Sequence, residues 1–260
     1  MKFKNLEFSN AAGQRLSARI DLPEGQQPAA YALFAHCFTC SKNIKAIGNI
    51  SRALTREGIA VLRFDFTGLG ESEGDFADTN FSSNVDDLVM AAEFMADNYQ
   101  APKILIGHSL GGAAVLQAAV NIPSAVAVIT IAAPADPAHV SHALGESKDI
   151  IERRGEASVK LSGRTFKIKK QFLDDLGSVR MQDTIRNLNR ALLILHSPID
   201  VVVGIENAAK IFQTARHPKS FISLDGADHL LMDKKDSSYA GSIIATWALR
   251  YTDKEKFNER

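Results

Sequence analysis

A mostly parallel eight-stranded α/β sheet, covered by helices on both faces, is the fold class this sequence predicts. Short apolar runs of strand length alternate with helical runs along most of the 260 residues, as repeated strand-helix-strand units require. Gly107-His108-Ser109-Leu110-Gly111 lies between such a run and a helix former. Asp200 and His229 each follow one of the last two expected strands.

Lys2–Ser9 alternates polar and apolar residues, and residues 16–22 alternate again after a turn at Gly13-Gln14. An antiparallel hairpin therefore opens the chain. Residues 30–35 are continuously apolar, the mark of a strand buried on both faces. Ile44, Ile47, Ile50 and Leu54 share one helical face, Gly58 stops that helix, and residues 59–64 form the next buried strand. The glycine-rich loop at residues 65–72 leads to a second helix, marked by Phe81, Val85, Leu88, Val89 and Ala92. Residues 103–106 are the strand before the Ser109 motif, residues 113–119 the helix after it, and residues 126–131 another strand.

Residues 134–189 break this rhythm. They are polar, and within them residues 157–168 read as a hairpin turning at Ser162-Gly163. We expect a small cap inserted over the active site of a single domain spanning residues 1–260, since such insertions commonly set specificity. The alternation resumes with a strand at 191–195, a helix at 205–212, a last strand at 220–224 and a closing helix at 242–249.

A hydrophobic content of 45% supports a large core, and thirty basic residues cancel thirty acidic ones. No net field draws nucleic acid or an anionic membrane. No apolar run approaches the roughly 18 residues that span a bilayer, and residues 1–7 start an alternating strand rather than a signal peptide. A cytoplasmic protein without nucleic-acid or membrane partners is expected, acting on a small molecule.

A serine on a strand-turn-helix junction projects its Oγ from the C-terminal edge of the sheet, with Gly107 and Gly111 allowing strand and helix to approach. A hydroxyl is a poor nucleophile at neutral pH until an imidazole accepts its proton. His229 suits that role, first as base and then as acid, with Asp200 orienting it, and the order Ser109, Asp200, His229 is the one this topology requires. Asp225 and Asp228 flank His229 too closely in sequence to face its ring, and Asp65 is better placed to fix the loop at Gly68-Leu69-Gly70. Oxyanion donors are expected from the backbone N–H of Leu110 and of Phe38, the latter in the loop after the third strand. Such chemistry calls for no cofactor or metal.

Cys37 and Cys40 are the two cysteines, too few for a disulfide framework and in keeping with a reducing compartment. They read as small buried residues packing a loop. A redox-responsive Cys-x-x-Cys pair is the reading from another class, but such pairs usually open a helix, and this one follows a strand.

The chain resembles the α/β-hydrolase superfamily over nearly its whole length. His36-Cys37-Phe38-Thr39-Cys40-Ser41-Lys42-Asn43, Phe64-Asp65-Phe66-Thr67-Gly68-Leu69-Gly70-Glu71-Ser72 and His217-Pro218-Lys219-Ser220 further resemble the hydrolase half of bacterial proteins in which an OsmC-like domain follows. The resemblance implies carboxylesterase activity on a small ester, with feruloyl or cinnamoyl esters and thioesters as alternatives. Cys37 stands where many members have the glycine of a His-Gly pair. The sequence ends at residue 260, so either a following domain has been removed or the hydrolase stands alone, and the resemblance implies an OsmC-like domain in longer relatives.

Overall fold

The structure is a computed structural model and describes residues 1–161 and 163–252. The strands are β1 (Lys2–Ser9), β2 (Arg15–Leu22), β3 (Ala30–Ala35), β4 (Ile59–Phe64), β5 (Ile104–His108), β6 (Ala127–Ile131), β7 (Glu156–Leu161), β8 (Arg164–Lys169), β9 (Ala191–His196) and β10 (Lys219–Ser223). The helices are α1 (Lys45–Arg56), α2 (Phe81–Asn98), α3 (Leu110–Ala118), α4 (Ser147–Arg154), α5 (Lys170–Ser178), α6 (Met181–Arg186), α7 (Glu206–Thr214) and α8 (Lys234–Thr252).

The expected α/β-hydrolase sheet is present, eight-stranded in the order β1-β2-β4-β3-β5-β6-β9-β10. Pairing is parallel from β4 to β10 and antiparallel at β1–β2 and β2–β4. Successive side chains of a strand point to opposite faces, and the core divides accordingly. Leu33, Leu62, Leu105 and Val128 lie in the layer with α2 and α3, whereas Phe34, Val61, Ile106 and Ile129 meet Ile47 and Ile50 of α1 and Ile244 of α8.

Register places the chemistry. Ala35 pairs with Gly107, His108 with Ile131, Ile131 with Leu195, and His196 with Ser223. The parallel strands thus end together, and the loops after β3, β5, β9 and β10 emerge at one edge.

Between β6 and β9 the β7–β8 hairpin forms in the expected register. Ser162, expected at its turn, lies outside the described residues, and Gly163 takes φ +80°. This segment also contains α4, α5 and α6, which are short and polar enough to leave little periodic signal. Phe166, Ile168 and Phe172 turn inward to pack and are almost wholly buried. The final helix begins earlier than expected, because its first turns, from Lys234 to Ser238, are polar while Ser237 is buried and bonded to Asn49. No helix among the described residues is long and apolar enough to cross a membrane.

Candidate active site

Ser109 sits between β5 and α3 with φ +55° and ψ −126°, a conformation that costs a non-glycine residue about 1–3 kcal/mol and persists only where its surroundings impose it. A Cβ at Gly107 would lie 2.1 Å from Gly111 O, and one at Gly111 would lie 2.4 Å from His36 O. The turn closes only because both side chains are absent.

His229 Nε2 is 3.0 Å from Ser109 Oγ, and His229 Nδ1 is 2.7 Å from Asp200 Oδ2. The three residues thus meet in one hydrogen-bonded line although 120 residues separate Ser109 from His229. Asp200 Oδ1 accepts the amides of Val202 and Val203 at 2.8 and 3.0 Å. Burial pushes the Asp200 carboxyl upward, but the His229 hydrogen bond and the Val203 and Val202 amides outweigh it and hold it below the ordinary carboxylate value. An ionised acceptor favours the His229 tautomer that carries hydrogen on Nδ1 and leaves Nε2 free to take the serine proton. Asp225 and Asp228 are engaged elsewhere, with Ser223 Oγ and with the amides of Leu230 and Met232 respectively.

Phe38 and Leu110 border the same small cavity of about 10 Å³, room for one water, together with His36, Cys37 and Gly111. Leu110 opens α3, so its N–H belongs to the group that a helix leaves without an internal acceptor. The Phe38 ring stacks on Phe172 at 5.3 Å and meets Phe76 at 5.4 Å. The hairpin-bearing segment therefore packs directly on the loop expected to carry an oxyanion donor.

Cys37 and Cys40 depart from the expectation of two free thiols packing a loop. They are joined by a disulfide, with Cα atoms 5.4 Å apart, inside the range a bridge can span. Thr39 adopts φ +65° and folds the loop back, so that Cys40 N–H donates to Cys37 O. The turn does here what a helical turn does in the usual Cys-x-x-Cys pair.

Two supporting histidines escaped the reading of the sequence. His108 Nε2–H donates to His229 O at 2.6 Å, and His196 Nε2–H donates to Val203 O at 2.7 Å. Burial first, then the neighbouring His229, pushes the His108 pKa down to about 4. Both histidines end strands that feed the site, and that position was their signal.

The family model described as serine aminopeptidase, S33, matches residues 26–148. The esterase domain of a Rhodothermus marinus protein is 54% identical, covers 97% of this chain and 100% of its own, and superposes with a TM-score of 0.80. Est1E of Butyrivibrio proteoclasticus, solved with ferulic acid, shares the fold at 20% identity, with 95% of this chain and 98% of its own covered and a TM-score of 0.82. The mitochondrial palmitoyl-protein thioesterase ABHD10 of Mus musculus is 28% identical over 186 residues, 69% of this chain. The chain spans 62% of that thioesterase's length.

Proposed function

This chain belongs to the α/β-hydrolase superfamily, among its carboxylic ester hydrolases, and on that premise we propose that it cleaves small carboxylic esters through an acyl-Ser109 intermediate. The observation that carries the reading is the continuous line Ser109 Oγ, His229 Nε2, His229 Nδ1, Asp200 Oδ2. His229 takes the Ser109 proton as Oγ bonds to the ester carbon, and returns it to the departing alkoxide, which leaves as an alcohol. Water then attacks the acyl-serine, again giving its proton to His229, and the acid leaves as Ser109 recovers its hydrogen. The N–H groups of Phe38 and Leu110 receive the oxyanion in both halves.

Residues 134–189 serve as the cap in this reading, and Phe172 is the part of it that bears on Phe38. Ile199, Val201, Leu230 and Met232 are exposed beside Asp200 and His229, which supports an ester with an apolar portion. Thioesters and aryl esters such as feruloyl esters pass through the same tetrahedral chemistry and are the alternatives within the class. The Cys37–Cys40 bridge favours a second reading, in which hydrolysis responds to thiol reductant because the bridge encloses Phe38.

Turnover of a chromogenic acetate ester by wild type and Ser109→Ala tests the main reading. Wild type should exceed the variant by at least about 10⁴-fold, and equal rates would end it. A panel of esters and thioesters graded by acyl length and aromaticity then defines the class.

A further inference from the structure

A buried cluster of ions lies beneath the loop that carries Phe38. Lys42 and Arg63 are 3% and 4% exposed, and Asp65 and Asp21 are fully buried. Lys42 is gripped at every polar atom it has. Its N–H donates to Asp65 Oδ1 at 2.6 Å, its carbonyl accepts from Arg63 Nη1, and its Nζ donates to Asp65 Oδ2 at 2.6 Å and Glu71 Oε2 at 2.5 Å.

The partners are themselves fixed. Asp65 directly follows β4, its own N–H donates to Ser17 O, and Oδ2 also accepts the Glu71 amide at 3.0 Å. A Cβ at Gly70 would lie 2.2 Å from that carboxylate, so the glycine makes room for it. Arg63 lies within β4 and donates from Nε to Asp21 Oδ2 at 3.0 Å.

At the other end of the loop, His36 Nδ1–H donates to Cys37 O at 2.8 Å. The Phe38 amide is therefore carried on a short span of chain clamped at His36 and at Lys42. A buried ion pair is a weak source of stability because desolvation offsets its attraction. Stability alone therefore does not explain this cluster, whereas precise placement of a backbone donor does, since no side chain can supply that N–H.

We propose that Lys42, held between Asp65 and Glu71, is a positioning residue that sets the oxyanion-binding loop. The proposal rests on the acyl-transfer reading above. Loss of the clamp displaces the Phe38 N–H without touching Ser109, His229 or Asp200, so it weakens transition-state binding and leaves ground-state binding nearly intact.

The test uses the whole chain and a chromogenic acetate ester, with active sites counted by a fluorophosphonate label. For Lys42→Met we expect kcat per labelled site to fall roughly 10- to 100-fold with KM changed by about twofold or less. Affinity for a trifluoromethyl ketone, which forms an oxyanion on the serine, should fall by the same factor as kcat/KM. The acid limb of the pH–rate profile, which reports the base, should stay in place, and Lys42→Arg should recover part of the loss. Unchanged kcat, or a lower kcat with ketone affinity retained, overturns the proposal. If Lys42→Met does not fold, Lys42→Gln decides: a parallel loss of kcat and ketone affinity supports the clamp, and wild-type values for both overturn it. A wild type that neither turns over the ester nor takes the label overturns the hydrolytic reading itself, and the clamp with it.

Discussion

On one side of Ser109 the loop after β3 is held by buried ions and a disulfide, and on the other the loops after β9 and β10 are held by histidine side chains and backbone amides. Lys42, Asp65 and Arg63 grip the first. His108 and His196 each donate to a carbonyl of the second pair, at His229 and Val203. The difference matches the work that the proposed acyl transfer would ask of each side. Oxyanion donors must stand still, and ions locked in a low-dielectric interior give a stiff support. In that proposed reaction His229 exchanges protons with serine and leaving group, and a charged support beside it would shift its affinity for the proton. His108, kept uncharged by burial, holds the His229 carbonyl while adding no net charge next to the imidazole ring.

The largest break in the comparison comes from Asp200, the carboxylate bonded to His229 on that side. Asp200→Asn keeps the shape but changes an acceptor that holds the Nδ1 hydrogen into a group that can equally donate. We expect kcat to fall by about 10⁴-fold with KM little altered, measured on the same acetate ester. A loss under about tenfold would mean that His229 finds its tautomer without Asp200.

A second break concerns the neutrality of His108. Its folded pKa of about 4 lies below the ordinary histidine value, so between roughly pH 6.5 and 4 the unfolded chain binds a proton that the folded chain does not. This contribution is complete above the unfolded pKa and is lost as pH falls toward 4. Its full size is about 3 kcal/mol. His108→Gln retains a donor for the His229 carbonyl and removes the titration, so unfolding by urea should weaken less between pH 7 and pH 4.5 than in wild type. Identical slopes would place the acid sensitivity elsewhere.

How far the residues themselves revealed this division follows from what each support is made of. The strands of the sheet were legible because burial on both faces leaves continuous apolar runs, as in residues 30–35 and 59–64. The meeting of Ser109, Asp200 and His229 was legible because parallel strands deliver their following residues to one edge. Lys42 was not, since its partners lie 23 and 29 residues away in the loop after β4, and a lysine between Ser41 and Asn43 looks like any surface charge. The Cys37–Cys40 bridge was hidden for a different reason. It depends on the positive φ of Thr39, which residue types do not announce, since threonine rarely adopts it. Helices α4 to α6 were missed because helices of six to nine residues take their stability from packing rather than from their own periodicity.

The smallest effect expected comes from that bridge, and it separates the two fastenings of the first side. Joining residues three apart removes little freedom from the unfolded chain, about 2 kcal/mol by loop-closure entropy. With Lys42 and His36 still clamping the ends of the loop, Cys37→Ser/Cys40→Ser should lower the unfolding free energy by that amount and kcat by less than about fivefold. Wild type treated with dithiothreitol should behave like the double variant, and the variant should ignore the reductant. A loss as large as that of Lys42→Met would instead make the disulfide the principal fastening of the Phe38 amide, and ester hydrolysis would then follow the thiol balance of its surroundings.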